Sequence, residues 1–339
     1  MKSSLVSSGH WHTAKKQGGA DAAWAACEFI LPGVLAVLGF ALLHSRVAEA
    51  QIIDTNEQSF YDNARPMMDY SLSDIMRAAP ELQGLESTDN SDELASILYK
   101  AGKVTEDLLD KMPNLTSRED VIQAKLRDSL LSKGQRRRSY NYLILVHRNG
   151  THDVLEEYRT QPDGTEMEVQ DLDADYTVTS GFASSWLHFL PSNRMSARFR
   201  YLGQQTDAGR RCYVVAFAQK PGWVTVLGKV TYKGISVSIL YQGIAWIDEE
   251  NYRIIRLRTD LLAPRPSIGL EKQTTELHFG EIRLSKIHSP LWLPQEVLVT
   301  TDWKNQTYRN IHRYSDYRLF EVETNSVSAP PDQPLPTKP

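Results

Sequence analysis

Cysteine is nearly missing from this chain: Cys27 and Cys212 are the two in 339 residues. No disulfide framework can be built from them, so the fold rests on its apolar core, which a chain of this length can bury. Cys212 lies in the strand-like run RRCYVVAFAQ and reads as a small buried hydrophobe. An excess of one charge is missing too. Lys and Arg number 38 against 42 Asp and Glu, a net charge of −4, which excludes the basic surplus of a nucleic-acid binder. The densest basic run, Arg136-Arg137-Arg138 after Lys133-Gly134, reads as a solvated turn.

Catalytic signatures are also lacking. The nucleophile elbow G-x-S-x-G does not occur, and GFASS at 181–185 has the wrong spacing. There is no glycine-rich phosphate loop and no paired-cysteine zinc spacing. His10 and His12 are close but belong to the leader, and the other histidines are scattered. Asp171, Asp173 and Asp175 open like a calcium loop, yet Tyr176 stands where glycine is needed and Phe182 where the closing glutamate belongs. Asp248, Glu249 and Glu250 read as a hairpin tip. No catalytic residue, metal or cofactor is expected, and the chain reads as a non-enzyme; a hydrolase with a site assembled from dispersed residues is the weaker alternative.

Residues 29–43, FILPGVLAVLGFALL, are too short to span a membrane comfortably. Lys2, Lys15 and Lys16 precede this run and VAEA closes it at Ala50, the parts of a secretory signal. Residues 1–50 are therefore expected to be a signal peptide cleaved after Ala50, or a signal anchor that is kept. Both place the remainder in the periplasm or cell envelope.

The organisation beyond is α+β. Residues 51–114 form an N-terminal helical segment, with a short helix at 69–78 and a long amphipathic one over 91–112. In the latter, Leu94, Ile97, Leu98, Ala101, Val104, Leu108 and Leu109 recur at helical spacing, with Ser91 as N-cap and Pro113 as stop. Residues 115–324 are β-rich. Strands are expected at 116–130, 139–148, 152–160, 195–205, 210–219, 223–232, 235–247, 252–262, 272–286, 292–304 and 307–323, with a short helix at 182–190. RNGT and TDAG mark hairpins. Short connections favour antiparallel pairing, so the expectation is one large, curved antiparallel sheet with the long and the short helix packed on its concave face. The tail, 325–339, is Pro-rich and expected to be disordered.

The ribbon SILYQGIAWIDEENYRIIRLRTDLL tests this plan. With Glu249-Glu250 as a two-residue tip, Ile247 faces Tyr252 and Tyr241 faces Arg258. Leu240, Ile244, Trp246, Ile255, Leu257 and Leu261 then share a dry face, while Arg256 and Arg258 hold the other in water. Trp186, Phe189, Trp223, Trp292 and Trp303 are further candidates for an apolar lining, or for plain core.

These pieces resemble the outer-membrane lipoprotein-sorting and carrier superfamily. The likeness is carried by YQGIAWIDEENYRIIRLRTD, by GRRCYVVAFAQKP before it and by EIRLSKIHSPLWLPQEVLV after it. The resemblance implies an incomplete β-barrel, plugged by helices, that binds a lipid, a lipoprotein acyl chain or another hydrophobic ligand without catalysis. Its cavity would draw on Trp186, Phe189, Leu240, Ile244, Trp246, Ile255, Leu257, Trp292 and Trp303. A sensor branch of the same superfamily leaves a second expectation, a stress sensor or interaction module with an envelope protein partner. Length before residue 115, an insertion around 160–195 and the Pro-rich tail depart from the small carriers.

Overall fold

The computed structural model describes residues 61–320, apart from 128–130, 149–152, 166–181, 223–227 and 233–234, together with Val6–Ser7. The expectations for the leader and its processing, for Asp171, Asp173 and Asp175, for Trp223 and for the tail lie outside the described residues.

Helix α1 (Leu72–Ala78) starts at Ser71, whose side chain accepts the Asp74 N–H. Helix α2 (Leu94–Lys111) begins three residues after the expected Ser91 cap. Its apolar spacing buries Ile97, Ala101 and Leu109. Gly102 sits mid-helix, at a propensity cost of about 1 kcal/mol against alanine, because a Cβ there would come 3.1 Å from the Phe189 carbonyl. The far end is held by Arg148, which donates to the carbonyls of Leu109, Asp110 and Met112. Those last-turn oxygens have no partner within a helix.

The strands are β1 (Val6–Ser7), β2 (Glu86–Ser87), β3 (Leu115–Arg127), β4 (Leu131–Arg148), β5 (Asp153–Thr160), β6 (Ala197–Asp207) and β7 (Arg210–Gln219). They continue as β8 (Gly228–Tyr232), β9 (Ile235–Ile239), β10 (Tyr241–Asp248), β11 (Ile254–Leu261), β12 (Leu270–Ile282), β13 (Leu291–Trp303) and β14 (Gln306–Leu319). Eleven of them form one open antiparallel sheet in the order β2-β6-β7-β10-β11-β12-β13-β14-β3-β4-β5. β1, β8 and β9 make a small second sheet. The chain thus leaves the expected 235–247 strand at Leu240 and divides it between two sheets. Arg136, Arg137 and Arg138 are not in a turn. They pair with Gln123, Ile122 and Val121 inside β4, while remaining largely solvated.

Both faces of the large sheet carry cover. One lies under α2 and the 3-10 turns Ser185–Phe189 and Pro191–Ser196; here it is called the helix-covered face. The opposite face is covered over β6, β7, β10 and β11 by residues 61–87. Gln205 donates to the carbonyls of Glu81 and Gln83, Arg200 to those of Met68 and Tyr70, and the Met67 N–H donates to Gln242.

The β10–β11 register differs from the sequence expectation. Tyr241 pairs with Leu261, Ile244 with Arg258 and Trp246 with Arg256, with a bulge before Ile247. A two-residue hairpin of the favoured type needs positive φ at both tip residues, which Glu-Glu resists. The chain instead makes a longer turn. Asp248 accepts the N–H groups of Glu250 and Asn251, Tyr252 takes φ 58°, and the Asp248 N–H meets the Arg253 carbonyl. The displacement is an odd number of residues, so β11 is turned over relative to β10. Arg256 and Arg258 share a face with Ile244 and Trp246, and Leu257 points the other way.

Candidate functional site

The nine residues expected to line one cavity are distributed over both faces. On the side under residues 61–87, Trp246 is fully buried and its indole N–H donates to Gln205 at 2.8 Å. The Arg256 guanidinium lies 4.7 Å from its ring centroid. Arg256 bridges Asp207 and Glu276, and Arg258 bridges Asp260 and Glu81. The expectation that both arginines hold a wet face fails: Arg258 is buried in its ion pairs, and Arg256 is partly buried in its own. Ile244 shares this side with Trp246, and the Leu240 N–H donates to the Tyr61 hydroxyl. Trp292 donates to the Ile254 carbonyl, beneath the guanidinium groups of Arg253 and Arg210.

On the helix-covered face, Leu257 and Ile255 stand two residues apart on one strand. Trp186 and Phe189 belong to the 3-10 turn above the sheet, where Phe189 packs against Phe199 and Phe217 at 5.6 and 5.7 Å between ring centroids. His188 lies against Phe217, and burial pushes its pKa down to about 4. Trp303 belongs to a separate cluster with Val230, Ile239, Leu261, Leu270 and Tyr308. The structure therefore brings Trp186, Phe189, Ile255 and Leu257 to one side and separates them from Ile244 and Trp246 by the thickness of the sheet.

The same helix-covered face holds a charged node with no local sequence signature. Its members come from β3, β5 and β14. Arg159 donates through two nitrogens to the Glu119 carboxylate. His312 Nδ1 and the Tyr314 hydroxyl each lie 2.8 Å from Glu119 Oε1. All four are buried. Burial opposes ionisation of Glu119, but the Arg159 charge and the hydrogen bonds outweigh it and hold the carboxyl at about 2. Burial lowers the His312 pKa despite Glu119, so the ring is neutral. With a carboxylate at Nδ1, that nitrogen must carry the proton, and Nε2 is left as an acceptor. Beside this node Glu157 accepts from the Tyr142 hydroxyl and from the Phe182 and Ser184 N–H groups, tying the 182–189 turn to β5. Phe182 in turn meets the His312 ring edge-on at 4.9 Å.

Next to the node runs a neutral polar band. Register sets Thr259 beside Thr275, Thr275 beside Val299, Val299 beside Asn310 and Asn310 beside Gln123. One step along, Gln273 pairs with Thr301. All of these polar residues are buried, on one contiguous wall. No group of three His, Cys, Asp or Glu among the described residues is placed to hold a metal ion. An open cleft of about 520 Å³ lies outside the node, lined by Glu281, Arg283, Gln295, Tyr314, Asp316 and Tyr317 among others.

The described residues thus present an open antiparallel sheet with helices over one face and a buried wall that is part apolar and part polar. No protein-family model matches the chain, and no curated protein matches it. Among solved structures it is similar to a domain described as outer-membrane lipoprotein-sorting from Vibrio parahaemolyticus. There the identity is 12%, over 68% of this chain and 95% of that one, with a TM-score of 0.37. It is also similar to a DUF1329 family protein from Desulfovibrio piger, with 11% identity over 69% of this chain and 96% of that one and a TM-score of 0.33. A LolA superfamily protein from Nitrosomonas europaea gives 12% identity, coverages of 67% and 94%, and a TM-score of 0.31.

Proposed function

We propose that this chain is an exported, non-catalytic binding or carrier protein for a lipid-like ligand, held between the helix-covered face of the sheet and the helix layer. On this reading that face is the concave side of an incomplete barrel. The observation that supports it is the composition of the wall. Leu257, Leu277 and Val297 continue directly into a buried band of Thr, Gln and Asn, which matches a molecule with a greasy and a polar end better than it matches a self-sufficient core. The helix layer and the sheet share one buried apolar cluster, in which Ile97, Ala101, Trp186 and Phe189 join Phe217, Leu257 and Leu277. Lys100 reaches the Tyr252 hydroxyl at 2.9 Å, and Arg148 holds the end of α2. Of the nine sequence candidates, Trp186, Phe189, Ile255 and Leu257 belong to this binding surface. The location is the periplasm or envelope.

Native mass spectrometry of protein exported and gently extracted from cells tests the reading. A co-purifying lipid mass lost in Trp186→Asp supports it. A clean apo mass, with no uptake of added long-chain amphiphiles, ends it.

A further inference from the structure

The neutral polar band carries more than the general reading. Gln123, Thr259, Gln273, Thr275, Thr301 and Asn310 are between 1% and 8% exposed, on five adjacent strands. Threonine, glutamine and asparagine are rarely buried in such a group unless hydrogen bonds satisfy them, since a buried polar atom without a partner has lost its water and gained nothing in return. Among the described residues, two acceptors on this wall find no partner. One is the Gln273 amide oxygen, and the other is His312 Nε2, whose ring is fully buried. His312 sits on β14 two residues from Asn310, and so on the same side of the sheet.

The charges nearby are already answered. Glu119 is matched by Arg159. Lys125 lies over the Tyr308 ring, and Arg136, opposite Gln123, is likewise engaged within the chain. What the wall offers a guest is therefore neutral acceptor capacity. We infer that the band receives an uncharged headgroup that donates hydrogen bonds, a hydroxyl or amide on an aliphatic chain, in preference to a carboxylate. A carboxylate has no proton to give Gln273 Oε1 or His312 Nε2, and it would bring an unpaired charge into the wall. The apolar tail would run toward Leu257, Phe189 and Trp186. This inference rests on the lipid-binding reading above and adds to it the identity of the polar end.

The test titrates full-length exported protein, delipidated, with three probes of one chain length: monoolein, oleate and methyl oleate, followed by tryptophan fluorescence. Monoolein should bind about tenfold or more tightly than either of the others, the difference expected from one or two buried hydrogen bonds. Gln273→Leu should remove most of that preference and leave methyl oleate binding unchanged, with a native circular-dichroism spectrum. Thr275→Val, a second and milder change, should reduce the preference in the same direction. If all three probes bind alike and Gln273→Leu changes nothing, the headgroup inference falls while lipid binding stands. If oleate binds best, the inference is reversed. If no probe binds, both readings fall together.

Discussion

Replacing Arg159 with methionine gives the sharpest test of the charged node. The substitution keeps length and apolar volume but removes the two donors facing Glu119. In the native protein the Glu119 carboxyl falls from an ordinary 4.5 to about 2. At about 1.4 kcal/mol per pH unit, this contributes about 3 kcal/mol of stability at neutral pH. The sign follows from the depressed value. The contribution is complete above pH 4.5 and is lost as pH falls toward 2. Without Arg159 burial dominates, and the carboxyl rises above its ordinary value instead. The variant then folds better when Glu119 is protonated, so its deficit is largest at pH 7 and shrinks on acidification. Stranding one member of a buried pair typically costs about 3–5 kcal/mol. Urea unfolding followed by tryptophan fluorescence at pH 7 and pH 4 measures both quantities. A loss under about 1 kcal/mol at pH 7, or a loss equal at the two pH values, would refute an ionised node.

Burial holds His188 neutral down to about pH 4, so protons taken up by the unfolded chain destabilise the protein as pH falls below 6.5. His188→Leu should therefore gain about 2 kcal/mol relative to the native protein between pH 6.5 and 5, read as a reversal of their melting-temperature order. Gln205→Leu leaves the Trp246 N–H and the Glu81 and Gln83 carbonyls without their partner. It should cost about 2–4 kcal/mol in the same unfolding assay. Arg256→Ala should cost about 1–3 kcal/mol, because the guanidinium joins two carboxylates and covers Trp246; a silent result would place it in solvent. Gly243→Ala puts a Cβ 2.0 Å from the Arg258 carbonyl oxygen. It should abolish the native fluorescence spectrum of the soluble fraction.

What could be read in advance follows the range of the interaction. Strand positions were legible where turn chemistry is local. Ala208-Gly209 and Lys304-Asn305, all at positive φ, close β6–β7 and β13–β14 close to where the sequence places the breaks. The long helix was legible from its apolar spacing. The DEEN turn misled because its geometry is set by the Asp248 side chain, and an odd displacement there regroups every residue downstream in β11. Trp246 and Leu257 look alike in sequence and sit on opposite sides for this reason. The charged node was invisible for a different cause. Glu119 lies 40 residues from Arg159 and 193 from His312, and only long-range pairing joins them. The one available hint was Glu119 itself, in phase with Leu115, Ser117, Val121 and Gln123 on the buried side of β3.

The strand order also bears on how the protein is made. β14, the last strand among the described residues, is the seam between β13 and the β3–β4–β5 meander formed some 150 residues earlier. Until it emerges, β3 presents a thirteen-residue unpaired margin, the kind of edge that recruits other chains. A polypeptide that emerges N-terminus first would thus carry this open margin until β14 follows. Truncation before Gln306 should yield two sticky fragments of sheet, not a shortened protein. Pairing of β14 is the event that closes this margin.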